Sequence, residues 1–360
     1  MLKHRSVTGL LAAIAMMTVA DVQASAFSDA SEKGAVRAEN LTPITRSEHW
    51  KLIWSDEFSA SQLDMDKWSF EKNCWGGGNN EQQCYTDRSQ NLYIDDGILN
   101  ITAIRGAFKG PVRHDDRPDY RTAGERELPY TSARIRSKGK GDWLYGRFEI
   151  RAKLPTGQGT WPAIWMLPTD SPYDWWAASG EIDILEAVNL KARSDEHGTL
   201  GSEPESRVHG TLHYGRRWPD NVHTGTGFKL PEGEHPSDAF YTYAIEWEKD
   251  EIRWYVDDYH FATQRSSGWY SQSKSGDGWE TNPEDAPFDH PFHLIMNLAV
   301  GGNWPAKVNE TGIDESVFPQ TLQIDFVRVY QCERDPATGK GCAAIDPKAK
   351  RVRGISGPKD

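Results

Sequence analysis

The feature that most constrains this chain is a one-by-one alternation of apolar and polar residues that recurs along its length, with few segments at helical spacing. Phe148, Ile150, Ala152 and Leu154 alternate with Arg147, Glu149, Arg151 and Lys153, the period of two that sets successive side chains on opposite faces of a strand. Tyr241, Tyr243, Ile245 and Trp247 alternate with Thr242, Ala244, Glu246 and Glu248. Past a turn near Lys249 and Asp250 the pattern resumes at Ile252, Trp254 and Val256 as a hairpin partner. Phe292, Leu294, Met296, Leu298 and Val300 form another such face. Gly and Pro punctuate the runs at Gly76 to Gly78, Pro155 to Gly159, Pro168 to Pro172 and Gly301-Gly302. The expectation is an all-β, antiparallel fold. Closing so many strands without bare edges favours a two-sheet β-sandwich, with long loops at the sheet ends walling a cleft.

The ends of the chain read differently. Lys3, His4 and Arg5 precede an apolar run from Val7 to Ala20, and Ala24-Ser25-Ala26 offers a small-residue cleavage site, so residues 1–26 read as a secretory signal peptide. The run is shorter than the roughly 20 apolar residues that span a bilayer. Residues 27–46 are polar and aperiodic, a linker before the domain. Residues 47–345 read as one domain without internal repeats. Residues 346–360 carry five basic residues, two Pro and two Gly and are expected to form a flexible tail. The mature chain is expected to be secreted or periplasmic, soluble and monomeric.

The chain carries a net charge of −12; losing Lys3, Arg5 and Asp21 with the leader (net +1) leaves −13. An acidic surface repels phosphate backbones and anionic bilayers, which excludes nucleic acid and membrane as natural partners, and is indifferent to a neutral polysaccharide. Fifteen Trp, 13 Tyr and 12 Phe on a background of mean hydropathy −0.70 leave aromatics to spare beyond a core, and indole faces suit sugar rings. The four cysteines fall in two close pairs, Cys74 with Cys84 and Cys332 with Cys342. In an exported chain these read as two local disulfides, with free buried thiols as the alternative.

The chemistry concentrates in Gly180-Glu181-Ile182-Asp183-Ile184-Leu185-Glu186. Glu181 and Asp183 share one strand face, but Glu186 falls on the other by parity, where it would bury a charge in the core at several kcal/mol. One extra residue near Leu185, a β-bulge, returns Glu186 to the face of the other two and turns both Ile184 and Leu185 inward. Regular strand geometry sets the outer Cα atoms about 13 Å apart, so the long side chains must lean together to reach the about 5 to 5.5 Å of a retaining glycosidase pair. Crowded carboxylates raise the pKa of at least one of them, leaving an acid beside an ionised nucleophile. A solvated acidic strand or a calcium site would use the same alternation. Trp161, Trp165, Trp175 and Trp176 just upstream favour a sugar cleft.

At these residues the sequence resembles the laminarinases, endo-β-1,3-glucanases of glycoside hydrolase family 16. Trp161-Pro162-Ala163-Ile164-Trp165-Met166-Leu167-Pro168 followed by the bulged E-x-D-x-x-E run is similar to that family's hallmark. Trp54 to Phe58, Gly78 to Glu81, Ser132 to Ile135, His209 to Tyr214, Asn297 to Pro305 and Asp325 to Tyr330 continue the likeness. It implies a β-jelly-roll with a concave cleft, Glu181 as nucleophile, Glu186 as acid/base and Asp183 as assisting acid. It also implies sugar contacts from Asn80, Arg134, Trp161, Trp165, Trp176, His213 and Trp304, and a possible structural calcium at Glu57, Gly97 and Asp325, with no cofactor for catalysis. The implied activity is retaining endo-hydrolysis of β-1,3-glucosidic bonds in laminarin-type glucans, the partners being β-glucan polysaccharides and oligosaccharides. A mixed-linkage or other specificity of the same family, such as a marine galactan, and a non-catalytic β-glucan-binding protein are the alternatives. Asp174-Trp175-Trp176, bulky where small residues are common, and the Cys74–Cys84 bracket around Asn79-Asn80 depart from the family pattern.

Overall fold

The computed structural model describes residues 34–358; the expected leader lies outside them. Among these residues the alternating runs form two large sheets packed face to face. A nine-stranded sheet runs in the order Val36–Arg37, Asn221–Lys229, Val208–Gly215, Glu181–Glu186, Thr160–Pro168, Phe292–Val300, Arg134–Arg136 and Ser69–Phe70, with Asp142–Trp143 also on Phe292–Val300. An eleven-stranded sheet has Gly146–Lys153 at its centre, between Tyr241–Glu248 and Gln320–Cys332. The two-sheet sandwich expected from the alternation is what forms.

The core lies between the sheets and is built from the inward half of each alternation. Phe148 and Ile150 meet Ile164, Met166, Ile182 and Leu212 in one continuous cluster, each without exposure. Burying each such side chain stabilises the fold by about 1.5–3 kcal/mol. The hairpin falls where the pattern puts it, Tyr243 opposite Val256 and Glu248 opposite Glu251. Phe292–Val300 is buried along its whole length because its outer face, carrying His293 and Asn297, is also covered.

Among the described residues three strand-to-strand pairings are parallel rather than antiparallel, all at sheet margins: Val36–Arg37 on Phe228–Lys229, Gln83–Tyr85 on Tyr130–Ser132, and Lys350–Val352 on residues 262–264. Two of them correct the reading of the chain ends. Residues 34–46 are not a loose linker. Ala38 and Leu41 enter the core, the Ile44 amide donates to the Asp258 carbonyl at 2.8 Å, and Val36–Arg37 caps one edge of the nine-stranded sheet. Residues 346–358 are not a free tail either. Lys350–Val352 caps the edge of the other sheet, and the Ile355 amide donates to the Tyr214 hydroxyl at 2.8 Å. The physical reason is shared: an open edge presents unpaired amides and carbonyls, and short polar segments satisfy them as well as apolar ones do. Buried Asp346 ties the two ends together by accepting from the Thr42 amide at 2.6 Å. Both disulfides form as paired, Cys74–Cys84 and Cys332–Cys342.

Candidate active site

The acids stand on the outer face of the nine-stranded sheet, on the strand Glu181–Glu186 near its middle. Asp183 pairs with Trp165 on one side and Thr211 on the other; Glu186 pairs with Ala163 and His209. Between them Leu185 faces Ile164 while Ile184 has no counterpart, and both ladders shift register there. This is the expected bulge. Ile184 and Leu185 both point inward, 3% and 1% exposed, and the parity of Glu186 is restored. The bulge also frees the Asp183 carbonyl, which accepts from the Trp254 indole of the opposing sheet at 2.8 Å.

Each glutamate is held by an indole. Trp176 Nε1 donates to Glu181 Oε2 at 2.6 Å and Trp161 Nε1 to Glu186 Oε1 at 3.0 Å. His213 Nε2 lies 3.3 Å from Asp183 Oδ2 and 3.7 Å from Glu181 Oε1. Asp183 is almost wholly buried, and its Oδ2 lacks a hydrogen bond of good geometry. Burial raises all three carboxyls to about 8, reinforced at Glu181 and Glu186 first by the charge of Asp183. Three acids so placed cannot all ionise near neutrality, so the site holds protons and charge side by side.

The remaining expected contacts surround this strand. Trp165 Nε1 donates to Asn297 Oδ1 at 2.8 Å, and the Arg134 guanidinium lies 4.6 Å from the Trp165 ring while pairing with buried Glu71 at 3.2 Å. Trp304 packs edge-on against Trp161 at 5.6 Å and against His209 at 5.2 Å. Asn80 donates to Asn303 Oδ1 at 2.8 Å, on the loop that carries Trp304. His209, Asn297 and Trp254 enter the sequence reading only as members of longer runs and not as site residues, and Glu71 does not enter it. His209 was within reach, because it continues the alternation of Thr211 and His213. The others depend on contacts between strands far apart in the chain.

The expected calcium set does not assemble as a carboxylate cage. Glu57 forms a two-pronged pair with Arg328 at 2.9 and 2.7 Å, and Asp325 pairs with Arg151. Ligation by these two carboxylates would displace both arginines, so in this arrangement the side chains of Glu57 and Asp325 do not fit the ion. The trio close enough to share a cation among the described residues is Glu181, Asp183 and His213, with ligand atoms within 4.8 Å of one another. Two of these three are carboxyls of the acidic strand itself.

A β-sandwich with paired glutamates on one strand and indoles beside them defines a carbohydrate-active protein. Comparisons with known proteins narrow this. The family model "Beta-porphyranase A-D, GH16 domain" matches residues 50–332. The glucan endo-1,3-beta-glucosidase A1 of Niallia circulans is 42% identical over 288 residues, 78% of this chain, which spans only 38% of that longer protein. A beta-glucanase of Rhodothermus marinus is 40% identical over 297 residues, covering 79% of this chain and 87% of the relative. The crystal structure of the laminarinase from Rhodothermus marinus superposes with a TM-score of 0.58 at 37% identity, over 78% of this chain and 97% of that one. The chain belongs to glycoside hydrolase family 16.

Proposed function

We propose that the protein hydrolyses internal β-1,3-glucosidic bonds of laminarin-type glucans with retention of configuration. The observation that carries this reading is the pair of glutamates, Glu186 buried and Glu181 half-buried, brought to one strand face by the bulge, each receiving an indole N–H. Glu181, in its ionised form, attacks the anomeric carbon to give a covalent glycosyl-enzyme, while Glu186, in its protonated form, delivers a proton to the departing oxygen. Glu186 then takes a proton from the water that releases the sugar. Asp183 positions Glu181 through a shared proton and tunes its charge, with His213 beside both carboxyls. Arg134, Trp165, Trp161, Trp304 and Asn80 would line the sugar chain on either side. The names of the Niallia and Rhodothermus relatives support the glucan; the porphyranase name of the matching family model supports a galactan as the second reading. The two disulfides support export, with the leader removed near Ala26, and we propose a monomer.

The test is reducing-sugar release from laminarin beside lichenan, agarose and porphyran, with the anomer of the first product read by proton NMR. Release from laminarin with the β-anomer formed first is expected; release from porphyran alone selects the galactan, and binding without release selects a recognition protein. Glu181→Gln and Glu186→Gln are each expected to lower kcat at least about a hundredfold. Near-normal turnover in either variant would remove that residue from its role.

A further inference from the structure

Trp175 is 63% exposed although it immediately precedes Trp176, the indole that holds Glu181. An indole so exposed is normally unfixed, yet the chain invests in presenting this one. Asp174, directly before it, sits at φ 95°, a conformation that L side chains resist. Four partners hold it there. Its carboxylate accepts from the amides of Trp175 at 2.9 Å and Lys274 at 3.1 Å and lies 3.7 Å from the Arg217 guanidinium; its carbonyl accepts from Ser179 Oγ at 2.9 Å. The Trp175 carbonyl is fixed in turn by the Ala178 amide at 2.9 Å.

The ring is also supported from a second loop. The Arg117 guanidinium stands 5.5 Å from its centre, in a segment anchored by two neighbouring carboxylates. Asp115 accepts from the Lys72 amide and from Asn73 Nδ2 at 2.7 Å, and Asp116 forms a two-pronged pair with Arg136 at 2.8 and 2.7 Å. Arg136 follows closely on Arg134 in the same strand, and both meet Glu71. Trp175 therefore stands on the rim between the Trp176–Glu181 contact and the Arg134 side of the sheet, continuous with the site and still open to solvent.

We propose that Trp175 is a sugar-stacking platform, a subsite that engages a pyranose ring of a neutral polysaccharide chain long enough to extend past Trp176. This rests on the glucanase reading for the identity of the chain. The platform contributes affinity for length and leaves the chemical step alone, because Trp175 makes no contact with the three acids.

The experiment compares Trp175→Ala, Trp175→Phe and Arg117→Ala with the wild type on laminari-oligosaccharides of increasing length and on whole laminarin. For Trp175→Ala, KM is expected to rise roughly three- to tenfold on long chains, with kcat kept and the shortest cleaved substrate unaffected. Trp175→Phe should recover much of the loss, and Arg117→Ala should show a smaller one. A loss equal at every length, or none at any, overturns the proposal. Should the wild type leave laminarin uncut, the glucanase reading fails, and the platform is read instead by retardation of the Glu186→Gln chain in gels carrying laminarin or agarose. Equal retardation with and without Trp175 in that background rules the platform out.

Discussion

At the scale of single residues, the indole donors act on the two glutamates with the same sign and opposite consequences. Each N–H stabilises a carboxylate and so holds its pKa below where burial alone would put it. Removing the donor by Trp176→Phe raises the Glu181 pKa further. Glu181 must be ionised to attack, so the acidic limb of the kcat/KM profile is expected to move to higher pH. Trp161→Phe raises the Glu186 pKa in the same way, but Glu186 must be protonated to act, so there the basic limb moves to higher pH. One pH profile per variant checks both, and a shift of the wrong limb would exchange the two roles. The acids and indoles were legible because E-x-D-x-x-E and the tryptophan-rich run are local in sequence. The Arg134–Glu71 pair and the Trp165–Asn297 bond were not, since each joins segments over 60 residues apart and no local pattern encodes them.

At the scale of elements, the bulge in Glu181–Glu186 is built by three strands and a residue without a side chain. Gly210 lies on the neighbouring strand between His209 and Thr211, which pair with Glu186 and Asp183, and points inward. A Cβ there would meet the Trp254 ring at 2.3 Å, and Trp254 is the donor to the carbonyl that the bulge leaves free. Gly210→Ala must push that ring aside, so we expect a destabilisation of about 1–3 kcal/mol from overpacking and a fall in kcat as Asp183 loses its anchor. Denaturant melts with turnover measured on the folded fraction separate the two effects; unchanged kcat would show that the anchor is dispensable. Parity made the bulge legible, because a regular strand would have buried Glu186. The edge strands at both chain ends were not legible, since Val36–Arg37 and Lys350–Val352 are too short to show a period and are defined by the edges that receive them.

At the scale of the whole molecule, the acid site sets a pH dependence on the fold. Burial raises the carboxyls of Glu181, Asp183 and Glu186 from their ordinary range near 4 to about 8. Between those limits the native state holds more protons than the unfolded chain, so the contribution of these groups to stability falls as pH rises through that window and is unimpaired below it. Buried Glu205 works in the opposite direction. Burial opposes its charge, but the hydrogen bond and charge of Arg207 outweigh it and hold the carboxyl at about 2, so its contribution is present at neutral pH and is lost only as pH falls toward that value. Acid therefore erodes the support that the Glu205–Arg207 pair gives the fold, and alkali erodes the contribution of the site. Replacing one site acid by its amide keeps the indole hydrogen bond and removes a buried charge. Glu186→Gln is expected to gain about 1 kcal/mol or more of stability over the wild type at pH 8 and to match it near pH 4. Thermal melts of the two chains across that range decide the matter: a gain that grows with pH shows that the fold bears a strain imposed by its chemistry, whereas equal melting at pH 8 would mean that the three acids are accommodated without cost.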